Sequence, residues 1–288
     1  MVRACERSGY GRANPVVSRL PPSHDRCRWR PNKAKSLRQF LKRVIKIDKG
    51  WRTKKGRRVE LWFRGQQHDV VPRPSLYRGE FRARRTDAES RIEFERRGLQ
   101  FSGDRSLSGR WSRYFLMQHF GLPTRLLDWS DGALLALYFA VRPAVVDGKT
   151  PKQVVVWVLD PSSLNKLALG WRTIALPNWK EVKAWLPKDP YGAVQPRYPI
   201  AIDPAHVDPR IAVQRSHFTL FGYEKDGMGR LARRRGKRPK LARIIVSGRK
   251  RVERIVAQLE ACGITETSVF PDFEGLAREI KDEWRETR

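Results

Sequence analysis

The sequence predicts an α+β fold, with a single mixed or antiparallel sheet and flanking helices around one cleft, behind a basic disordered N-terminal tail. Three observations carry this expectation. Runs of strand length at 59–63, 154–159, 200–202, 210–221 and 241–246 are separated by helix-period segments without a regular strand–helix–strand repeat, which disfavours a doubly wound parallel sheet. An apolar content of 40% with ten Trp in 288 residues excludes a disordered chain. Finally, the stretch 118–141, QHFGLPTRLLDWSDGALLALYFAV, places a helix that is apolar all round directly behind a polar turn.

In chain order, residues 1–34 are rich in Arg, Pro and Ser without a period, and read as the tail; 35–288 read as one domain. Ser36-Leu37-Arg38-Gln39 is a capping box, and Leu37, Phe40, Leu41, Val44 and Ile45 follow at helical spacing. Residues 59–63 alternate as a strand, with Arg64 and Gly65 at its end, where glycine permits a ligand's close approach. Pro72 and Pro74 keep the chain extended as far as Ser75-Leu76-Tyr77. Thr86 and Glu89 form a second capping box, opening a helix to about Phe101 with Ile92 and Leu99 inward. The next helix, about 110–120, closes at Gly121, and Pro123 forces a turn through Thr124 and Arg125. Asp128, Ser130 and Asp131 then read as oxygen donors capping the helix that starts near Ala133. The run 154–159 has the length and β-branched content of a buried central strand. Short helices are expected at 164–169 and 179–185, and residues 193–197 read as a loop able to close over a site. The basic segment 229–240 reads as an exposed loop or hairpin tip, 252–259 as a helix ended by Gly263, and 274–284 as the last helix.

The formal net charge of +30 is unevenly placed. Residues 1–60 carry 19 Lys and Arg against 4 acids, and 228–251 carry 11 against none, so 26 of the 30 charges sit in two segments. This points to nucleic acid as a partner through 1–58 and 228–251, with the remaining surface nearly neutral. Three Cys cannot supply a closed disulfide set or a four-ligand zinc site, no apolar run reaches membrane-spanning length, and a cytoplasmic protein without a membrane partner is expected. There is no G-x-S-x-G, P-loop, H-E-x-x-H or Gly-rich dinucleotide fingerprint.

The run QH-x-G-x-PTRLLDW-S with ALYFA behind it, preceded by Phe63-Arg64-Gly65 and Pro74-Ser75-Leu76, resembles the FRG domain of bacteria and their phages. Arg210-Ile211, Gln214, Phe218-Thr219 and the terminal GIT-x-x-SVFPDFEGLA resemble that family's later blocks, extending the resemblance over about 36–280. Within these blocks Arg64 offers a guanidinium for a phosphate or ribose, or a salt bridge to Asp128. Thr124 and Arg125 could hold the same anion with the N-terminus of the apolar helix, or act as a turn cap and a surface Arg. Asp128 reads as general base or ribose acceptor, or as N-cap, and His119 as proton carrier or as a helix C-terminal residue favoured by the dipole. Gln214, on the strand with Thr219, could hydrogen-bond a ligand or be a core amide. The expected site is thus Arg64, His119, Asp128 and Gln214 for chemistry and Arg64, Gly65, Ser75, Thr124, Arg125 and Thr219 for binding, with no metal.

The order aromatic-Arg-Gly, Thr-bearing turn, A-x-x-FA helix is similar to the ADP-ribosyltransferase layout. That resemblance implies NAD as substrate, held by the Arg, with a glutamate on a later strand orienting the ribose. Gln214 stands where that glutamate is expected, and Glu89 or Glu93 would have to substitute. The sequence therefore predicts a protein that binds a nucleotide-like anion, with NAD and ADP-ribosyl transfer as its sharpest form. The alternative is a non-catalytic nucleic-acid-binding protein.

Overall fold

Val154 to Val156, Trp157, Val158 and Leu159 leave no polar face, and a computed structural model of the chain places them near the middle of a seven-stranded sheet. The structure describes residues 32–78, 87–98, 100, 109–146, 148–186, 196–203, 216–234, 236 and 238–286. The strands are β1 (Asn32–Ala34), β2 (Trp62–Gln66), β3 (Leu126–Ser130), β4 (Gln153–Leu159), β5 (Ile200–Ile202), β6 (Ser216–Leu220) and β7 (Leu241–Ser247). Their order across the sheet is β1-β7-β4-β2-β3-β6-β5, antiparallel except for the β1–β7 pair, so the α+β expectation holds, with a mixed sheet.

Alternation along β4 assigns the two faces. Val154, Val156 and Val158 meet α1 (Leu37–Trp51), α4 (Ala133–Val146) and α7 (Arg249–Glu260); Val155, Trp157 and Leu159 meet α5 (Pro161–Ala168) and α6 (Gly227–Arg233). A third apolar cluster joins α3 (Arg110–His119) and the 3-10 helix Lys180–Trp185 to β3, β5 and β6. Among the described residues the remaining α-helices are α2 (Asp87–Gly98), α8 (Glu266–Val269) and α9 (Phe273–Glu286). No described helix is long and apolar enough to cross a membrane.

Several expectations shift. Asn32–Ala34, the end of the expected tail, form a strand beside β7; residues 1–31 lie outside the described residues. Ser36 caps α1 as expected, accepting from the Gln39 amide at 3.3 Å, while the Gln39 side chain accepts from the Lys35 amide at 3.0 Å. The strand expected at 59–63 is three residues later, so Arg64 and Gly65 are mid-strand. In α2 the inward residues are Asp87, Ala88 and Arg91, whereas Ile92 is exposed; Thr86 and Leu99 lie outside the described residues. Gly121 does adopt the left-handed conformation, φ +77°, but the chain then enters β3 rather than a cap. Residues 229–233 of the expected basic loop belong to helix α6, because Met228, Leu231 and Ala232 fill the sheet face beside Trp62 and Trp157.

Candidate functional site

β2 and β3 share one residue pair, Phe63 with Ser130; beyond it Arg64 to Gln66 follow β4, and Leu126 to Trp129 follow β6. The sheet therefore parts on the Arg64 side of that pair. Arg64 reaches across the parting, its Nη1 donating to the main-chain carbonyl of Asp128 at 2.7 Å and lying 3.6 Å from the Asp128 carboxylate. This contact stands in for a missing ladder bond. The Arg64 side chain is 19% exposed, and its Nε has no hydrogen-bond partner among the described residues. Burial lowers the pKa of this guanidinium; Asp128 acts against the lowering, and Arg78, a like charge nearby, adds to it.

The Asp128 carboxylate is 49% exposed and is held from the other side by Gln118, whose amide nitrogen donates to both oxygens at 3.1 and 3.0 Å. The Thr124 hydroxyl donates to the Gln118 carbonyl oxygen at 2.5 Å and accepts from the Leu126 amide at 3.0 Å, which fixes the orientation of that amide. A relay thus runs Thr124, Gln118, Asp128, Arg64. Ser75, at the start of the 3-10 turn Ser75–Tyr77, accepts from the Thr124 amide at 3.4 Å, and the Leu76 amide donates to the Thr124 carbonyl at 3.3 Å. The segment bearing Arg78 is pinned to the turn before β3 in this way.

Arg125 is neither a surface residue nor a free anion ligand. It is 1% exposed; Nε donates to Asp87 at 2.5 Å, Nη1 to the Phe221 carbonyl at 2.7 Å and Nη2 to the Trp185 carbonyl at 2.6 Å. Burial opposes its charge, but Tyr114 and Asp87 outweigh that and raise its pKa. The Tyr114 hydroxyl accepts from the Arg125 amide at 2.9 Å and donates to Asp87 at 2.8 Å, and burial together with Asp87 pushes its own pKa well up. Arg125 is a strut tying α2, the Lys180–Trp185 helix and the end of β6 to β3.

Gly65 is also occupied by the protein itself. A Cβ there would lie 1.8 Å from the Ala136 carbonyl oxygen and 2.8 Å from the Ala140 amide nitrogen, so the close approach is that of the α4 main chain and not of a ligand. Thr219 is fully buried, accepting from the Trp129 indole at 3.0 Å. Asp128 lies inside β3 and so does not cap α4. His119 is half-buried with its ring edge against Phe120, at 5.1 Å between centroids, and no hydrogen bond among the described residues joins it to the relay. Gln214, Arg210 and the 193–195 part of the expected closing loop lie outside the described residues.

The structure thus brings Arg64, Asp128, Thr124 and Ser75 together, with Gln118 and Arg78 added. Gln118 stood within the motif run but was not among the expected site residues, and its bonds to Asp128, ten positions on, follow from the return of the chain into β3. Among the described residues no group of three or more His, Cys, Asp or Glu could hold a metal. Residues 59–147, which span every member of the relay, match the model of one family, described as the FRG domain; the later blocks fall outside the match. No curated protein and no solved structure matches the chain.

Proposed function

We propose that this chain, which carries an FRG domain, binds a nucleotide-like anion at the parting between β2 and β3, with NAD or its ADP-ribose portion as the ligand. One observation carries the reading. Arg64 is largely desolvated with an unpartnered Nε, and a second arginine, Arg78, adds like charge beside it. A phosphate there would complete the guanidinium's hydrogen bonds and neutralise the pair, a charge-assisted contact of the stronger kind. Asp128, oriented on both oxygens yet half exposed, accepts from a ribose hydroxyl.

If the site also transfers ADP-ribose, the bond between the ribose anomeric carbon and the nicotinamide nitrogen breaks, and nicotinamide leaves with the bonding pair. Water or an acceptor nucleophile bonds to that carbon and gives up its proton, for which Asp128 is the nearest described carboxylate to Arg64. Two measurements test this. Calorimetric titration with ADP-ribose should show binding that Arg64→Ala weakens by about 10- to 100-fold, the loss of one charged hydrogen-bonding group; nicotinamide release from NAD should fall in parallel. Thermal melts establish that the variant is folded, and Gln118→Ala, which leaves Arg64 in place, should lower release more than affinity. Equal affinity in wild type and a folded Arg64→Ala, or no binding by wild type, overturns the reading.

A further inference from the structure

The cations of the basic stretches differ in whether the fold already pairs them. In α6, Arg230 is bonded to Glu224 at 2.8 Å and Arg233 to Asp226, which Arg73 also meets at 2.9 Å. That helix spends its cations on neighbouring acids. On α1, by contrast, Arg38, Lys42, Lys46 and Lys49 recur at i, i+4, i+8 and i+11, all exposed. They form one stripe with a rise of about 16 Å from first to last. The sole acid of α1, Asp48, is nearly buried and paired with Arg52 and Arg58 at 3.5 and 3.4 Å, away from the stripe's cations.

α7 extends the same surface. It packs on the same sheet face as α1, the Leu37 amide donates to the Gln258 side chain at 3.0 Å, and its first turns expose Arg249, Lys250 and Arg254 around one acid, Glu253. Among the described residues none of these seven cations is in an ion pair. On the apolar side of α1, Leu37, Phe40 and Ile47 are buried against the sheet, which leaves Leu41 and Ile45 as the exposed apolar residues of the helix, far less than the continuous apolar face by which a helix enters a lipid surface.

We propose that the α1–α7 face docks along the phosphate backbone of a double-stranded nucleic acid, independently of the cleft at Arg64. A strand carries one phosphate per about 3.4 Å of axis, so the α1 stripe covers about five phosphates. Long flexible cations meeting phosphates without base contact bind any sequence, with a strong dependence on salt.

The test is fluorescence anisotropy of the full chain with a labelled duplex of about 20 base pairs across a KCl series. Removing three phosphate contacts by Lys42→Ala, Lys46→Ala and Lys49→Ala together should flatten the slope of log affinity against log salt by about 2.7. The same number of exposed lysines removed elsewhere, Lys166→Ala, Lys183→Ala and Lys281→Ala, should leave the slope within about 0.5 of wild type. Should the α1 variant fail to fold, Arg249→Ala with Lys250→Ala and Arg254→Ala reads the same flattening from the other helix. An unchanged slope in the folded variants overturns the proposal, as does equal flattening in the control. Capture of the chain by phosphatidylserine vesicles without duplex binding overturns it too.

Discussion

At Gly65 the lack of a Cβ is a requirement of contact between two main chains, those of β2 and α4. With a Cβ placed 1.8 Å from the Ala136 carbonyl oxygen, Gly65→Ala must push α4 off β2. We expect a destabilisation of about 3 kcal/mol or more, measured as a shift in the urea midpoint, or failure to fold. An unchanged midpoint would show that α4 can move without cost. The glycine of the Phe-Arg-Gly run was read in the sequence as permitting a ligand's close approach, whereas the α4 main chain occupies that space. What approaches it was not visible, because alternation along a strand says nothing of what lies above it. Arg125 shows the same limit. Its neighbours Pro123 and Thr124 read as a turn, yet its three bonding partners Asp87, Trp185 and Phe221 come from 38, 60 and 96 positions away.

At the scale of elements, β3 is where local chemistry misled. Asp128 and Ser130 before an apolar helix have the composition of a cap, but pairing of 126–130 with β6 overrides that preference. β4, β5 and β7 were legible because they are apolar on both faces, and α1 and α3 because their caps and breakers are local. α8 was missed: it has one turn, closed by a reciprocal Thr265–Ser268 capping box, and no periodic signal. It carries Glu266, whose carboxylate accepts from Tyr138 at 2.6 Å, Arg142 at 2.7 Å and Arg278 at 2.6 Å, joining α4 to α9. Burial raises the Glu266 pKa, but Arg142, Tyr138 and Arg278 outweigh this and hold it below the ordinary glutamate value. A lowered folded pKa contributes stability above the unfolded value that is lost as pH falls through the folded one. The gap in thermal midpoint between wild type and Glu266→Gln, open at pH 7, should therefore narrow below about pH 4.5. A gap constant from pH 7 to pH 3 would show that the carboxylate's charge contributes nothing.

For the whole molecule, the fold class followed from segment lengths and the irregular strand and helix order. Strand adjacency did not, since β2 lies between β3 and β4 of the sequence while β1 and β7 meet from opposite ends of the chain. The family match ends at residue 147, before β4 begins at Gln153. Yet β2 forms five of its pairs with β4, β3 is laddered on β6, and Arg125 is held by Trp185 and Phe221. Residues 59–147 expressed alone should show no cooperative melt by circular dichroism, and a sharp transition from that fragment would contradict the dependence on β4 and β6. The matched span is thus not a portable module. It cannot be cut out or grafted onto another chain as a unit, because the parting that holds Arg64 exists only where strands from both halves of the sequence frame it.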